Sequence, residues 1–268
     1  MNPALQSSQT PREIMRSLLV MVRVIFALVI REARVRHGRA RIGYAWAIIE
    51  PVLLISILTI IFTEFRAVNA KGDNFALFFA TGVLAFQAFR NTSVYICTAF
   101  EQNKPLFNYP MVKPIHAAFA RFVLDSATNL LVMFLVFTFQ ILALDAMAPN
   151  DIPAMMLAIG LMLLLALGAG TCLAVLRRFW SSVFNLYLVI MGPAFFLSCV
   201  FFSLESVPTM YRQILAWNPL VHGVEGFRAG YYPEYAAQDV SLFYLFAWVV
   251  CLNFLGLVGE WLTRFQDQ

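Results

Sequence analysis

Four charged residues fall within or at the edges of apolar runs, and they are the first candidates for chemistry. A charge in such a run is a functional candidate because hydrocarbon tolerates it poorly. Arg121 and Asp125 stand four residues apart, on one face of a helix, where a structural ion pair is the expected arrangement rather than a proton relay. Glu50, just before Pro51, would accept hydrogen bonds from a neighbouring helix or face a polar pathway. Arg90 would snorkel toward the inner surface or line a conduit. No catalytic dyad, triad or H-E-x-x-H pattern accompanies them. The chain contains no Gly-Lys pair, which excludes the phosphate-binding G-x-x-x-x-G-K-[ST] loop. Any ATP-driven step therefore falls to another polypeptide. His37, His116 and His222 lie in separate segments. Cys97, Cys172, Cys199 and Cys251 sit in apolar runs without metal-ligand spacing, so neither a metal site nor a disulfide is expected.

The elements that position these residues are set by composition. Of 268 residues, 61% are hydrophobic and 13% charged, against about 45–50% and about 25% in soluble domains. An all-α membrane protein with one compact membrane domain is expected. Six transmembrane helices are predicted, at about 43–65, 75–100, 116–144, 152–176, 182–203 and 240–259. The Gly192-Pro193 pair predicts a kink in the fifth.

Orientation follows from the basic residues. Eight arginines precede residue 42, five of them in REARVRHGRAR, which runs straight into the first apolar span. With both termini inside, inner segments hold fourteen of the nineteen basic residues and outer segments four. That excess fits retention of Lys and Arg on the cytoplasmic face, and it makes nucleic acid an unnecessary explanation for the basic arm. The stretch EIMRSLLVMVRVIFALVI is interrupted by arginine and followed by no small-residue cleavage site, so it is not expected to be a signal peptide. At 100° per residue, Arg12, Arg16 and Arg23 share one wedge opposite Leu, Val, Ile and Phe. This predicts an amphipathic helix in the inner interface or packed on protein.

Two connections carry further pattern. The inner loop EQNKPLFNYPMVKPIH holds Pro105, Pro110 and Pro114 with Phe107 and Tyr109, a composition suited to a short helix parallel to the membrane on which a soluble partner docks. The outer segment after span five predicts two short helices. One is capped by Ser206 with Pro208 in its first turn; the other is capped by Asn218-Pro219 and stopped at Gly230. Both are too short to span, and Trp217, Tyr231, Tyr232 and Tyr235 suit a headgroup-level belt. Aromatic residues around the Gly-Pro pair, including Tyr187, Phe195 and Phe196, read either as core and lipid-facing stripes or as a passage whose ring faces meet carbohydrate CH groups.

Four features taken together resemble a known family: REARVRHGRARIGYAWAIIEP, NKPLFNYPMVKPIHAAFAR, WNPLVHGVEGFRAGYYPEY and the six-span layout. The chain is similar, from about residue 13 onward, to permeases of ABC-2 type exporters, specifically those exporting capsular polysaccharide from Gram-negative bacteria. The resemblance implies a non-enzymatic bacterial inner-membrane subunit. Residues 1–42 would be a cytoplasmic segment with the interfacial helix and 43–268 the six-helix domain. It implies a homodimer with two copies of a separate ATPase that holds ATP and Mg, and a lipid-linked polysaccharide as substrate. A periplasmic co-polymerase and an outer-membrane export channel would complete the assembly. Leu106, Phe107, Asn108, Tyr109, Pro110, Val112, Lys113 and Pro114 would form the coupling segment in the ATPase. Arg36, Arg39 and Arg41 would meet a lipid phosphate at the entrance. Tyr44, Trp46, Tyr187, Phe195 and Phe196 would line the passage, and Trp217, Asn218, Pro219, His222, Glu225 and Arg228 the periplasmic gate. O-antigen and teichoic-acid exporters are the related alternatives. A secondary transporter fits less well, because the mid-span Gly-Pro has no counterpart in span two.

Overall fold

The computed structural model describes residues 11–37, 42–65, 74–109, 111–233, 235 and 239–263, and among them every regular element is helical. In order they are α1 (Pro11–His37), α2 (Ile42–Phe65), α3 (Phe75–Cys97), α4 (Ala99–Gln102), α5 (Pro114–Ala143), α6 (Ile152–Phe179), α7 (Val183–Leu197), α8 (Thr209–Leu215), α9 (Pro219–Tyr231) and α10 (Leu242–Thr263). Two 3-10 turns, Lys104–Asn108 and Leu204–Ser206, interrupt the connections. Among the described residues, α2, α5, α6 and α10 contain runs long and apolar enough to cross a membrane. α3 is of spanning length, but Gln87, Arg90, Asn91 and Thr92 make its second half polar, and its first fifteen residues are almost wholly buried by neighbours.

The helix starts follow their caps. Asn74 accepts from Leu77 N–H at 3.1 Å, and Asp151 from Ala154 N–H at 2.9 Å. Each satisfies one donor that a first helical turn leaves open. Asn218 does the same from Leu220 N–H at 3.0 Å, with Pro219 at the first helical position, as its sequence predicts. At the start of α5 the cap is His116, whose Nδ1 accepts from Lys113 N–H at 3.3 Å.

α3 and α6 form the centre, with α5 antiparallel to both. Thr92 faces Asp125, Tyr95 faces Arg121, and Ala76 faces Gln140. α6 and α10 run in the same direction, and small residues let them close. A Cβ on Gly168 would come within 2.7 Å of Asn253 N, and one on Gly256 within 2.2 Å of Thr171 Oγ1. α9 lies beside the first half of α6 but runs the opposite way: Gly230 packs on the Met155 backbone, and Gly223 on Met162.

α7 differs from its predicted extent. It ends at Leu197, and residues 198–203 leave the helix. Cys199 adopts a left-handed φ of 58° there, and the freed carbonyls turn inward toward α9. α8 has seven residues and begins after Pro208, while Ser206 bonds back to Ser203 O at 2.7 Å instead of capping it. α9 continues one residue past Gly230. That glycine serves close packing rather than a helix stop.

Candidate functional site

Two buried arginines organise the two ends of the bundle. At the end where α3 finishes and α5 begins, Arg121 of α5 forms an ion pair with Glu32 of α1, Nε to Oε1 at 3.2 Å. Arg121 Nη1 also donates to Tyr95 O at 2.8 Å and Thr98 Oγ1 at 2.7 Å, and Nη2 donates to Gln102 Oε1 at 2.7 Å. The guanidinium lies 4.5 Å from the Tyr95 ring centre. Glu32 also accepts from Tyr95 OH at 3.1 Å and Asn103 Nδ2 at 2.9 Å, and Arg31 donates to Asn103 Oδ1. Burial pushes the Glu32 carboxyl up. The Arg121 charge and the Asn103 and Tyr95 hydrogen bonds outweigh it, leaving the carboxyl below the usual glutamate value.

Around the i,i+4 residues Arg121 and Asp125 further partners gather. Arg121 takes Glu32, while Asp125 accepts from Thr92 Oγ1 at 2.8 Å and Asn129 Nδ2 at 2.9 Å. α1 packs on α5, with Leu28 and Glu32 buried, and it exposes Leu19, Val22 and Phe26.

Asn103, held by Glu32 and Arg31, is the residue before the Lys104–Asn108 turn. Of the expected coupling residues, Leu106, Phe107 and Asn108 lie in that turn. Tyr109 and Val112 follow in a second turn, with Val112 N–H donating to Tyr109 O at 2.9 Å. Lys113 is extended, Pro114 opens α5, and Pro110 lies outside the described residues. Phe107 packs against the cluster of Ile96, Ala99, Phe100 and Ala117, whereas Tyr109 and Met111 are 63% and 59% exposed. Beside this segment, Arg177 pairs with Glu101 at 2.7 Å and Arg178 donates to Thr263 Oγ1 at 2.7 Å, tying α6 to α4 and α10. Of the entrance arginines, Arg36 lies in α1 with its side chain outside the described set, and Arg39 and Arg41 fall wholly outside it.

The second arginine, Arg228, is fully buried on α9. Its Nη1 donates to Cys199 O at 2.5 Å, Phe202 O at 3.1 Å and Glu225 Oε1 at 3.0 Å. Nη2 donates to Val200 O at 2.7 Å, and the guanidinium stacks 3.9 Å from the Phe78 ring centre. Glu225 Oε2 accepts from Tyr235 OH at 2.8 Å and Leu204 N–H at 3.2 Å. The planar, five-donor guanidinium suits this cage of carbonyls, which a lysine would not fill. His222 is held in its neutral form, with Nδ1 accepting from Ser241 N–H at 3.1 Å, so Nε2 carries the proton to Ala216 O at 2.7 Å.

Of the six residues expected at the gate, five therefore join one connected region at α9. Trp217 remains 80% exposed, its carbonyl accepting from Tyr244 OH at 2.8 Å. The tyrosine belt is corrected. Tyr231, Tyr232 and Tyr235 are buried: Tyr231 OH donates to Met147 O of the α5–α6 connection at 2.8 Å, and Tyr235 OH donates to Glu225 at 2.8 Å.

Among the expected passage residues, Tyr187 hydrogen-bonds with Ser93 at 2.6 Å, and Phe195 packs edge-on against Phe86 and Phe201. Phe196 is 60% exposed and stacks on Phe201 at 4.9 Å. Trp46 is 58% exposed and stands apart on α2; the Tyr44 side chain lies outside the described set. Sequence patterning did not single out Glu32 or Asn103, although both fall in or beside motifs of one charge sign, where an opposite or neutral partner is the available signal.

Comparison with known proteins adds to this geometry. The chain is 33% identical to the polysialic acid transport protein KpsM of Escherichia coli, over 86% of this chain and 90% of the relative. It is 30% identical to the capsule polysaccharide export inner-membrane protein CtrC of Neisseria meningitidis, over 91% and 92%. It is 28% identical to the corresponding protein BexB of Haemophilus influenzae, again over 91% and 92%. The sequence model of the ABC-2 type transporter membrane domain matches residues 23–232, and the chain belongs to that family.

Proposed function

We propose that this chain is the membrane-spanning subunit of an ATP-driven exporter that moves a lipid-linked capsular polysaccharide across the inner membrane. The observation that carries the proposal is the match to three capsule and polysialic acid export proteins over nine-tenths of their lengths. α3 and α7 would complete six spans with both termini inside, which the inner excess of basic residues supports. Two copies would enclose the passage, and two copies of a separate ATPase, holding ATP and Mg, would drive it. The exposed Tyr109 and Met111 give that ATPase a docking face, rooted on Asn103. Arg36, Arg39 and Arg41 would meet the lipid phosphate. Tyr44, Trp46, Tyr187, Phe195 and Phe196 would contact sugar. α8 and α9 would form a re-entrant outer gate, a role supported by the way α9 runs back alongside α6. A periplasmic co-polymerase and an outer-membrane channel would receive the polymer.

The test is complementation of a capsulated Gram-negative host lacking its own permease, scored by surface and intracellular polysaccharide. Restored surface polymer with the unmodified chain is expected. The triple Arg36→Gln, Arg39→Gln, Arg41→Gln variant should assemble with the ATPase but accumulate polymer inside. Restoration of O-antigen export alone, or normal export by the triple variant, overturns the capsule assignment or the entrance assignment respectively.

A further inference from the structure

Arg90 has no counter-charge among the described residues. Gln87, Arg90 and Asn91 stand at i, i+3 and i+4 on α3, one face of a helix. Among the described residues none of the three side chains makes a hydrogen bond or an ion pair, and none has a polar atom sealed from outside. Arg90 and Asn91 are half-buried. Glu50, the carboxylate in the α2 run, is exposed and forms no ion pair with Arg90. The arginines at the two ends of the bundle each hold a carboxylate and several carbonyl or hydroxyl oxygens, and Arg90 lacks both.

Its depth makes this costly. A Cβ on Gly170 of α6 would stand 2.9 Å from Ser93 O, so these two residues share one level. Arg177, where α6 turns polar, is seven residues further along, about 10 Å at 1.5 Å each. Arg90 lies almost one turn before Ser93 on the parallel helix α3, about 15 Å from the Arg177 level. That is the middle of a hydrocarbon core about 30 Å thick. A stem of three methylenes cannot snorkel so far. Helical side chains also lean toward the N-terminus, which for α3 is the end away from Arg177. A charge at this depth faces the bundle interior or a water-filled path and takes its partner there.

The direction in which Arg90 faces is set by its neighbours. Phe86, Arg90 and Ser93 follow one stripe of α3, at i, i+4 and i+7. Phe86 packs edge-on against Phe195, ring centres 5.1 Å apart, and Ser93 bonds Tyr187 at 2.6 Å. Arg90 therefore lies on the α7 side of α3, between the contacts of two residues assigned above to the sugar. A guanidinium offers paired N–H donors that match two oxygens of a carboxylate or a phosphodiester, and the Gln87 and Asn91 amides add single donors. Depth excludes a lipid headgroup as the source of those oxygens, and a neutral sugar hydroxyl would leave the charge unmatched.

We propose that Arg90, with Gln87 and Asn91, is a subsite for the acidic group of the exported polymer, a carboxylate or phosphodiester carried on the sugar chain. The proposal rests on the export reading and adds to it a preference for acidic over neutral polymer.

The test is binding of fluorescent oligogalacturonate, and of the same oligomer after reduction of its carboxyl groups, to the full-length protein in phosphatidylcholine nanodiscs. Wild-type protein should bind the acidic form about tenfold tighter, the factor that one charge-assisted hydrogen bond carries. Arg90→Gln should bring the ratio near one, and Arg90→Lys, which keeps the charge but not the paired donors, should fall between. Arg90→Gln should melt no lower than wild type, because no partner within the chain is lost; a clear drop would mark a structural arginine and overturn the proposal. Equal binding of the two oligomers by wild-type protein, or an unchanged ratio in Arg90→Gln, overturns it as well. So does recovery of the wild-type ratio when Arg90→Glu is combined with Glu50→Arg, which would make Glu50, of the same or a second copy, the partner of Arg90. In a host with an acidic capsule, Arg90→Gln should accumulate polymer inside the cell. A wild-type chain that restores no capsule defeats the export reading, whereas the binding ratio decides the subsite.

Discussion

Arg228 and Glu225 sit one turn apart on α9, joined Nη1 to Oε1 at 3.0 Å, with side-chain exposures of 0% and 1%. Between them they bind five groups of the 199–204 segment and its surroundings: Cys199 O, Val200 O, Phe202 O, Leu204 N–H and Tyr235 OH. The pair is therefore the anchor that turns the chain after α7 and fixes α9 against it. A buried pair of this kind adds little stability over an apolar replacement, but it is costly to break.

Arg228→Met should destabilise the protein by about 3–5 kcal/mol, because Glu225 and three carbonyls lose their donor. Arg228→Lys should recover only part, since one ammonium cannot reach both sides of the carbonyl cage. The double variant Arg228→Met, Glu225→Leu should be less damaged than Arg228→Met alone. Thermal melts of the detergent-purified variants check the order; equal melting of wild type and Arg228→Met would remove the anchor role.

Two glycines of α9 test its closeness to α6. An added Cβ at Gly230 would stand 2.5 Å from Met155 N, a backbone atom that cannot move aside. At Gly223 the nearest atom, at 2.1 Å, is Met162 Sδ, part of a flexible side chain. Gly230→Ala should therefore lower the melting temperature more than Gly223→Ala does, although Gly223 has the shorter contact. The opposite order would mean that Met162 is locked and the α9 C-terminus is not.

The existence of the helices was legible in the apolar runs, and the α9 start in its Asn218-Pro219 pair. The end of α7 was not. Residues 198–203 are apolar enough to continue a helix, and what unwinds them is a guanidinium 25 or more residues later. Glu32 as the partner of Arg121 was equally hidden, because the two are 89 positions apart and Asp125 stood nearer in sequence. The tyrosines misled for a different reason. A ring with a hydroxyl suits the headgroup level and a buried hydrogen bond alike, and only the tertiary fold, which sets Met147 beside Tyr231 and Glu225 beside Tyr235, decides between them.

Coupling to the ATPase should separate by exposure within one short segment. Tyr109→Ala and Met111→Ala remove exposed side chains, and should reduce polysaccharide export and stimulated ATP hydrolysis with little change in melting temperature. Phe107→Ala opens a gap against Ile96 and Ala117, and a truncation of a partly buried Phe should cost stability, up to about 3 kcal/mol. ATPase assays of the reconstituted complex, alongside melts of each variant, distinguish the two. Full coupling with Tyr109 and Met111 both replaced would place the docking surface elsewhere.

The Glu32 carboxyl gives the Arg121 end of the bundle a pH dependence whose sign is fixed. Its value in the folded protein lies below the ordinary one, so the unfolded chain binds the proton more readily. Stability from this group is fully present above the unfolded value of about 4.3, and it is lost as pH falls through the lower, folded value. Glu32→Gln removes the titration and leaves Arg121 with a neutral partner. At pH 6–7 the wild type should melt above Glu32→Gln, and the gap should shrink below about pH 4.3 as the wild-type carboxylate takes up its proton. Arg121→Met should flatten the same dependence, because the guanidinium is what holds the folded value down. Melts of the three proteins from pH 3.5 to 7 read this directly. A gap that widens on acidification would show that Glu32 is already protonated at neutral pH, and would make the contact with Arg121 a neutral hydrogen bond rather than an ion pair.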